Sequence, residues 1–309
     1  MEEVKEPIFY GGQAVMEGVL MRGRKAYAMA VRRPDGEIEM VEKQLSNITR
    51  RYPILKLPLV RGVVALCSSM AMGYSALSKS AEIAMSEETE PTSKFEKFLV
   101  DKLGEKLNNY LMTFAMVFAV VFGIGLFILL PTFLASLVPV SDTFRGAMEG
   151  LVRIVIFVSY IFLISRMNDI QRVFQYHGAE HKAIHCNEQG KPLTIENVAA
   201  CDRLHKRCGT SFMLIVLVIT MILFMIVPIE GIWLRFASRI VLLPVIAGIS
   251  YEISVKWAGK YDNWLVRAVI FPGMCIQRIT TKEPDEKQME IAIVALEKAI
   301  EQDRGDCDD

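Results

Sequence analysis

The sequence predicts a mainly α-helical membrane protein with about four transmembrane helices, amphipathic interfacial helices and a small cytoplasmic N-terminal portion containing a β-hairpin. Three observations carry that class. Residues 107–141 contain no Asp, Glu, Lys, Arg or His, and about 20 apolar residues are enough for a helix to cross a bilayer. Hydrophobic residues make up 52% of the 309-residue chain, 17 of them methionine. All four histidines fall between His177 and His205, inside a connection rich in Lys and Arg that is flanked by apolar runs.

Residues 1–56 form the first segment. Met1 to Pro7 has neither a basic start nor an apolar stretch, so no cleaved signal peptide is expected. Residues 8–23 hold four glycines, read as tight turns or close backbone contacts, with Gln13, Glu17 and Arg22 as their polar chemistry. Glu17 is a candidate metal ligand or base, weighed against an ordinary ion-pair partner. Tyr27, Met29 and Val31 alternate, Pro34-Asp35-Gly36 turns the chain, and Ile38 and Met40 alternate again, which predicts a hairpin.

Residues 57–106 follow as an amphipathic helix and a linker. On a helix over Leu57 to Ser78, Val60, Val63, Cys67, Met70, Tyr74 and Leu77 share one face, opposite Arg61, Ser68 and Ser75. That pattern places it on the membrane surface or against other helices, with a re-entrant or short spanning segment as the alternative, since residues 62–78 carry no charge. Ser86 to Lys106 reads as a polar linker. Residues 107–165 supply the first two spans, Tyr110 to Leu130 with Pro131 as a kink or exit, and Ala147 to Ile164. Glu149 and Arg153, one turn apart in the second, can pair or reach the interface.

Residues 166–209 are the His/Cys-rich segment. Residues 210–256 give the third and fourth spans, Thr210 to Pro228 and Phe236 to Val255, the latter weakened by Arg239, Pro244 and Glu252. Residues 257–309 begin with Trp257, Trp264, Phe271 and Pro272, read as interfacial anchoring. Pro284-Asp285 then opens a soluble helix with Met289, Ile293, Leu296 and Ile300 at helical spacing, and the acidic tail from Asp303 is expected to fray.

Lys and Arg concentrate in the N-terminal region, residues 166–209 and the C-terminal region. Val138 to Gly146 has only Arg145, and Ile229 to Arg235 only Arg235. The positive-inside rule therefore puts both termini and the histidine segment in the cytoplasm, on a multi-pass protein of the inner membrane. Net charge is zero, from 35 basic and 35 acidic residues, so no nucleic-acid partner is expected. The expected partners are the lipid bilayer and a membrane protein or a second copy of the chain. The six cysteines are too scattered for a disulfide framework and read as reduced thiols or metal ligands.

The chemistry is expected between Tyr176 and Cys186. His177, His181 and His185 stand at i, i+4 and i+8, so a helix stacks them along one stripe. His177-x-x-Glu180-His181 is HxxEH, the inverse of a zinc-hydrolase pattern in which two imidazoles hold the metal and the glutamate is the base. His205 and Cys208 add a nitrogen and a thiolate. The expected site is therefore a divalent metal, zinc above others, held by His177 and His181 with a third ligand from His185, His205 or Cys208, and Glu180 as base. Gly178 marks either a helix start or a close approach to the backbone.

Two functions follow. One is a metal-dependent hydrolase at the cytoplasmic membrane face. The alternative is a non-enzymatic scaffold or assembly factor, linked to protein insertion or envelope machinery, with a closed structural metal shell or a hydrogen-bonded His cluster. A transporter has less support, because no pair of repeated halves is visible.

Three blocks carry a resemblance: Gly11-Gly12-Gln13-Ala14-Val15-Met16-Glu17-Gly18-Val19-Leu20-Met21-Arg22-Gly23, Tyr176-His177-Gly178-Ala179-Glu180-His181-Lys182, and Arg207-Cys208-Gly209-Thr210-Ser211-Phe212. The chain resembles the YqhQ-like family of bacterial membrane proteins, whose function is unknown and whose label as metal-dependent enzymes is itself an expectation. The resemblance spans nearly the whole chain and implies a membrane location and the same histidine site. Lys206 stands where the family pattern has proline.

Overall fold

Side-chain alternation builds the N-terminal sheet and decides what covers it. A computed structural model of the chain describes residues 9–45, 52–85, 106–227 and 231–304. Strands β1 (Gly11–Val15), β2 (Gly18–Arg22), β3 (Ala26–Arg32) and β4 (Ile38–Gln44) form an antiparallel sheet in the order β1-β2-β3-β4. The helices are α1 (Val60–Ala84), α2 (Lys106–Ile124), α3 (Leu130–Ser136), α4 (Asp142–Ile164), α5 (Asn168–Glu188), α6 (Ile195–Ala199), α7 (Gly209–Ile226), α8 (Ile232–Val241), α9 (Leu243–Tyr251), α10 (Trp264–Thr280) and α11 (Glu286–Arg304). Two π-helical turns, Gly125–Leu129 and Glu252–Trp257, follow α2 and α9.

The expected hairpin is β3–β4. The glycine-rich segment before it, expected only to turn and to approach other backbone, is a second hairpin, β1–β2. Its Glu17 turns the chain at φ 49°. Both faces of β2 are buried, so its sequence reads as a continuous apolar run without alternation.

The chain divides into two compact units, one of Met1–Ser86, Tyr160–Val216 and Pro244–Asp309, the other of Glu87–Ser159 and Leu217–Leu243. In the first, successive strand residues face opposite ways. Val19, Met21, Ala28 and Ala30 join Tyr176, Ala179 and Ala183 of α5 and Ala292, Leu296 and Ala299 of α11 in one core. Leu20, Tyr27, Met29 and Val31 join Ala76 and Ile83 of α1 in another. The sheet is thus filled between α1 on one face and α5 with α11 on the other.

The C-terminal helix starts as the sequence indicates. Asp285 Oδ1 accepts the Gln288 amide at 2.8 Å and Gln288 Oε1 accepts the Asp285 amide at 2.9 Å, a reciprocal cap. Its last turn differs from expectation. Asp303 is buried and accepts the amides of Arg24 and Lys25 at 2.9 and 3.0 Å, so the helix stays ordered to Arg304 because its end closes the β2–β3 turn. Trp264 and Phe271 are exposed on α10, and that helix continues through Pro272.

In the second unit Glu149 is bracketed by arginines. Arg239 Nε and Nη2 reach its carboxylate at 2.9 and 2.7 Å, and Arg153 Nη2, one turn on, at 2.7 Å. The pairing of Glu149 with Arg153 raised by the sequence is present. Pro131 has no N–H for the Phe127 carbonyl four residues back, and Arg153 Nε takes that carbonyl at 2.7 Å. The helix therefore runs on past the proline to Ser136.

Four helices are long and apolar enough to cross a membrane: Val60–Ala84, Thr113–Ser136, Phe144–Ile164 and Gly209–Ile226. Trp233–Val241 and Leu243–Trp257 pass together as a pair bent by 41°, the expected fourth span broken just before Pro244. The segment expected as a surface helix is therefore also apolar enough to span. Gly62, Gly73, Ala76 and Ser80 are buried, and Met70, Tyr74 and Leu77 of the apolar stripe face outward. Small residues allow the close approach to the sheet, which leaves the large apolar ones outside. Most of the Ser86 to Lys106 linker, the segment Met1 to Pro7 and residues 305–309 of the acidic tail lie outside the described residues.

Leu296 is fully buried in the core shared by the sheet, α5 and α11. Leu296→Ala is expected to cost about 2–5 kcal/mol, measured as a lowered unfolding midpoint in detergent.

Candidate functional site

Gly178 sits inside α5, and the chain that follows α10 crosses directly over it. A Cβ at Gly178 would lie 2.0 Å from the Lys282 carbonyl oxygen, and the Lys282 amide donates to Phe174 O at 2.8 Å. Of the two readings of this glycine, close backbone approach is the one realised. The crossing brings the carbonyl end of α10 over His177, the first histidine of the stripe.

His177 Nδ1 lies 2.9 Å from Thr280 O, and His181 Nδ1 lies 2.6 Å from Arg203 O. A carbonyl can only accept, so in each ring Nδ1 carries the proton and Nε2 keeps its lone pair. His177 Nε2 meets Cys208 Sγ at 3.3 Å, and one donor atom from each of His177, His181 and Cys208 falls within 4.8 Å of the others. The Thr210 amide donates to Cys208 Sγ at 3.4 Å. Burial pushes the Cys208 thiol up, but the hydrogen bond and charge of His181, with the hydroxyl and amide of Thr210, outweigh it and the net direction is down. Burial depresses His181.

His185, the third histidine of the stripe, leaves the group. Each step of four residues rotates a helix face by about 40°, so His185 has turned well away from His177. Its ring packs 4.8 Å from that of His205. His205 Nε2 faces Glu188 Oε2 at 3.4 Å, and Glu188 also pairs with Arg207. Burial depresses both His185 and His205. The structure thus gathers His177, His181 and Cys208 and turns His185 out of the cavity, while His205 stays on the cavity wall, its ring 5.6 Å from that of His181, with Nε2 engaged by Glu188.

Glu180 lines a cavity of about 590 Å³ together with Gly12, Gln13, His177, His181 and Cys208. A Cβ at Gly12 would lie 2.8 Å from the Glu180 carboxyl carbon, so any larger residue there displaces the Glu180 side chain. Burial pushes Glu180 up to about 8, against the opposing effects of His177 and the Ala14 amide. Its Oε2 is buried without a hydrogen-bond partner.

The other candidates lie elsewhere or play supporting parts. Glu17 pairs with Arg172 and accepts the Tyr176 hydroxyl at 3.2 Å, the ion-pair role weighed for it. Arg22 ends β2 opposite Gly11 and Tyr27 and does not line the cavity. Gln13 does line it, packed against Gly73. Sequence reasoning missed Gln277 and the Thr280 carbonyl. Gln277 is fully buried, and its amide accepts from His205 N at 2.9 Å and donates to His205 O at 2.9 Å and Ser211 Oγ at 2.8 Å. Its position among Ile270, Met274 and Ile276 was the available signal.

A helical chain with several apolar candidate spans and a His/His/Cys/Glu cluster, buried except for the half-buried His177, defines the class. The chain belongs to a family described as protein of unknown function, DUF1385, whose pattern matches residues 57–302. It is similar to the uncharacterized protein YqhQ of Bacillus subtilis (strain 168), 36% identical over 304 residues, which cover 97% of this chain and 95% of that one. No solved structure matches.

Gly178→Ala is expected to cost about 1–3 kcal/mol through overpacking, while Gly123→Ala, where an added Cβ meets nothing within 4 Å, does not. Paired thermal unfolding of the two variants checks this.

Proposed function

We propose that the chain is a metal-dependent hydrolase at the cytoplasmic face of the bacterial inner membrane, with His177, His181 and Cys208 as ligands of a divalent ion, zinc by donor preference, and Glu180 as base. The tautomers carry this reading. Both imidazoles spend their Nδ1 protons on backbone carbonyls, the outer hydrogen bond that metal-bound histidines make, and leave an Nε2 lone pair in a group that also holds the Cys208 thiol. Mixed nitrogen and sulfur donors suit zinc, and three protein ligands leave a position open, as in catalytic sites. The engagement of His205 with Glu188 weighs against the closed four-ligand shell of the scaffold alternative.

A divalent ion held there would supply Lewis-acid activation of water and of a substrate oxygen. Glu180 would take the proton of the attacking water, whose oxygen bonds to the substrate carbonyl carbon. It would return that proton to the leaving group as the bond to that group breaks. Beside a divalent charge the raised Glu180 carboxyl ionises more readily.

Freshly purified wild type is expected to hold about one zinc per chain. His177→Ala, His181→Ala and Cys208→Ser lose it, whereas His185→Ala and His205→Ala keep it. Glu180→Gln keeps metal and abundance but loses activity by about 10²–10⁴-fold, and fails to complement a deletion. Metal-free wild type, or full complementation by Glu180→Gln, defeats the hydrolase reading.

We also infer four membrane crossings. The sheet, α5 and α11 share one core, so the chain before α1, the histidine segment and the C-terminal helix lie on one side. Crossings between them must then be even in number. Between α5 and α11, α7 and the bent pair supply two. Between β4 and α5 there are three candidates, of which α1 is held to the sheet by Ala76 and Ile83 and so stays on the sheet's side. The Lys and Arg distribution supports that side being cytoplasmic. With Cys67, Cys275 and Cys307 changed to serine, a membrane-impermeant maleimide is expected to label Ser141→Cys in intact cells and Glu82→Cys only after permeabilisation. Labelling of Glu82→Cys from outside contradicts the topology.

A further inference from the structure

A second cavity, of about 680 Å³, adjoins the first and shares Gln13, Ser69, Arg207 and Gly209 with it. It runs along α1 from Gly62 to Leu77, with Phe212 and Val255 among the residues opposite. Fifteen residues of helix measure about 22 Å. Arg207 is the one charged side chain in its lining, and that guanidinium already pairs with Glu188. The groove therefore selects for length and apolarity, not for charge.

Size and hydrogen bonding narrow the occupant. The groove is partly open and holds about 680 Å³, so a helix 10–12 Å across would meet it with one face only and leave its narrow base unfilled. A single extended chain fits. An extended peptide would bring N–H and C=O groups against the walls, which are mostly helical with their backbone groups already paired. Unmet peptide groups in such a setting are costly. An acyl chain has none to satisfy.

We propose that this groove holds one fatty acyl chain of a membrane lipid, its carbonyl end lying at the junction by Gln13 and Ser69, within the cavity that Glu180 lines. The position of the carbonyl rests on the hydrolase reading; occupancy of the groove does not. The substrate class is then an acyl ester or amide carried in the bilayer, entering between α1 and the start of α7.

The test uses the full chain in nanodiscs of phosphatidylglycerol and phosphatidylethanolamine, doped with a phosphatidylglycerol whose palmitoyl chain carries a diazirine. After illumination, peptide mapping is expected to place the label at Leu66, Met70, Phe212 or Val255. Ala65→Trp, which fills the groove, reduces that label by at least about tenfold with zinc content unchanged. Ser254→Phe, filling the opposite wall, serves if the first variant fails to fold. Glu180→Gln labels as wild type does, so a failed hydrolase reading and a failed groove reading give different results. Label spread evenly over the outward-facing Phe114 and Val121, label unaffected by both fillers, or labelling of the groove only by a photoreactive apolar peptide overturns the proposal.

Discussion

The imidazole of His177 hands its Nδ1 proton to the Thr280 carbonyl, and that of His181 hands its own to Arg203, and from these two hydrogen bonds the rest of the site takes its character. They fix the tautomers, aim both Nε2 atoms at Cys208 and leave the rings unable to rotate without losing a buried bond. Each acceptor is a backbone atom, so its place is set by a whole segment. Thr280 O belongs to the end of α10, held by the passage of Lys282 over Gly178. The Arg203 segment is held through His205 by Gln277, itself one turn before Thr281 on the same helix. One helix thus positions both donors, and displacing it would release both.

The sheet serves this arrangement from the opposite direction. Its β1 edge carries Gly12 against Glu180, and α5 is pressed onto the same sheet through Tyr176, Ala179 and Ala183. The face of α5 with Ala179 and Ala183 is spent on the core, and the residues between, Glu180 and His181, turn toward the cavity. A helix is divided here into a packing stripe of small residues and a reactive stripe of titratable ones, as its 3.6-residue period allows.

Legibility in the sequence followed the range of the interactions. Local signals were readable: the Pro34-Asp35-Gly36 turn, the reciprocal cap at Asp285 and the charge-free run through 107–141 each act within a few residues. The β1–β2 hairpin was not, because Gly11 and Gly12 carry no side chain to show alternation and β2 is buried on both faces. The residues by which α1 meets the sheet were hidden for a related reason. The stripe at Met70, Tyr74 and Leu77 dominates the local pattern, whereas the close contacts are made by small residues, Gly73 and Ala76, whose lack of bulk carries no periodic signal. For the site, helical spacing brought out His177 and His181, whereas the separation of His185 from them came from cumulative rotation and from Glu188. Choosing Cys208 over His205 required the tertiary path of residues 201–209, which no local pattern encodes.

The treatment of carboxylates across the molecule bears on what Glu180 is for. Glu149, equally removed from solvent, is bracketed by two guanidiniums and approached by the Thr132 hydroxyl at 3.0 Å. Glu252 is paired with Arg61, and Glu17 with Arg172. Among the described residues, Glu180 Oε2 is the one buried carboxylate oxygen without a hydrogen-bond partner. Leaving it so costs about 1–3 kcal/mol or more, although Gln13 lines the same cavity. A fold that elsewhere supplies partners to its buried acids, yet keeps this one lone pair turned toward a cavity beside two lone-pair nitrogens and a thiol, retains an acceptor for something that arrives. A proton taken from water is the arrival that this set of atoms suits best.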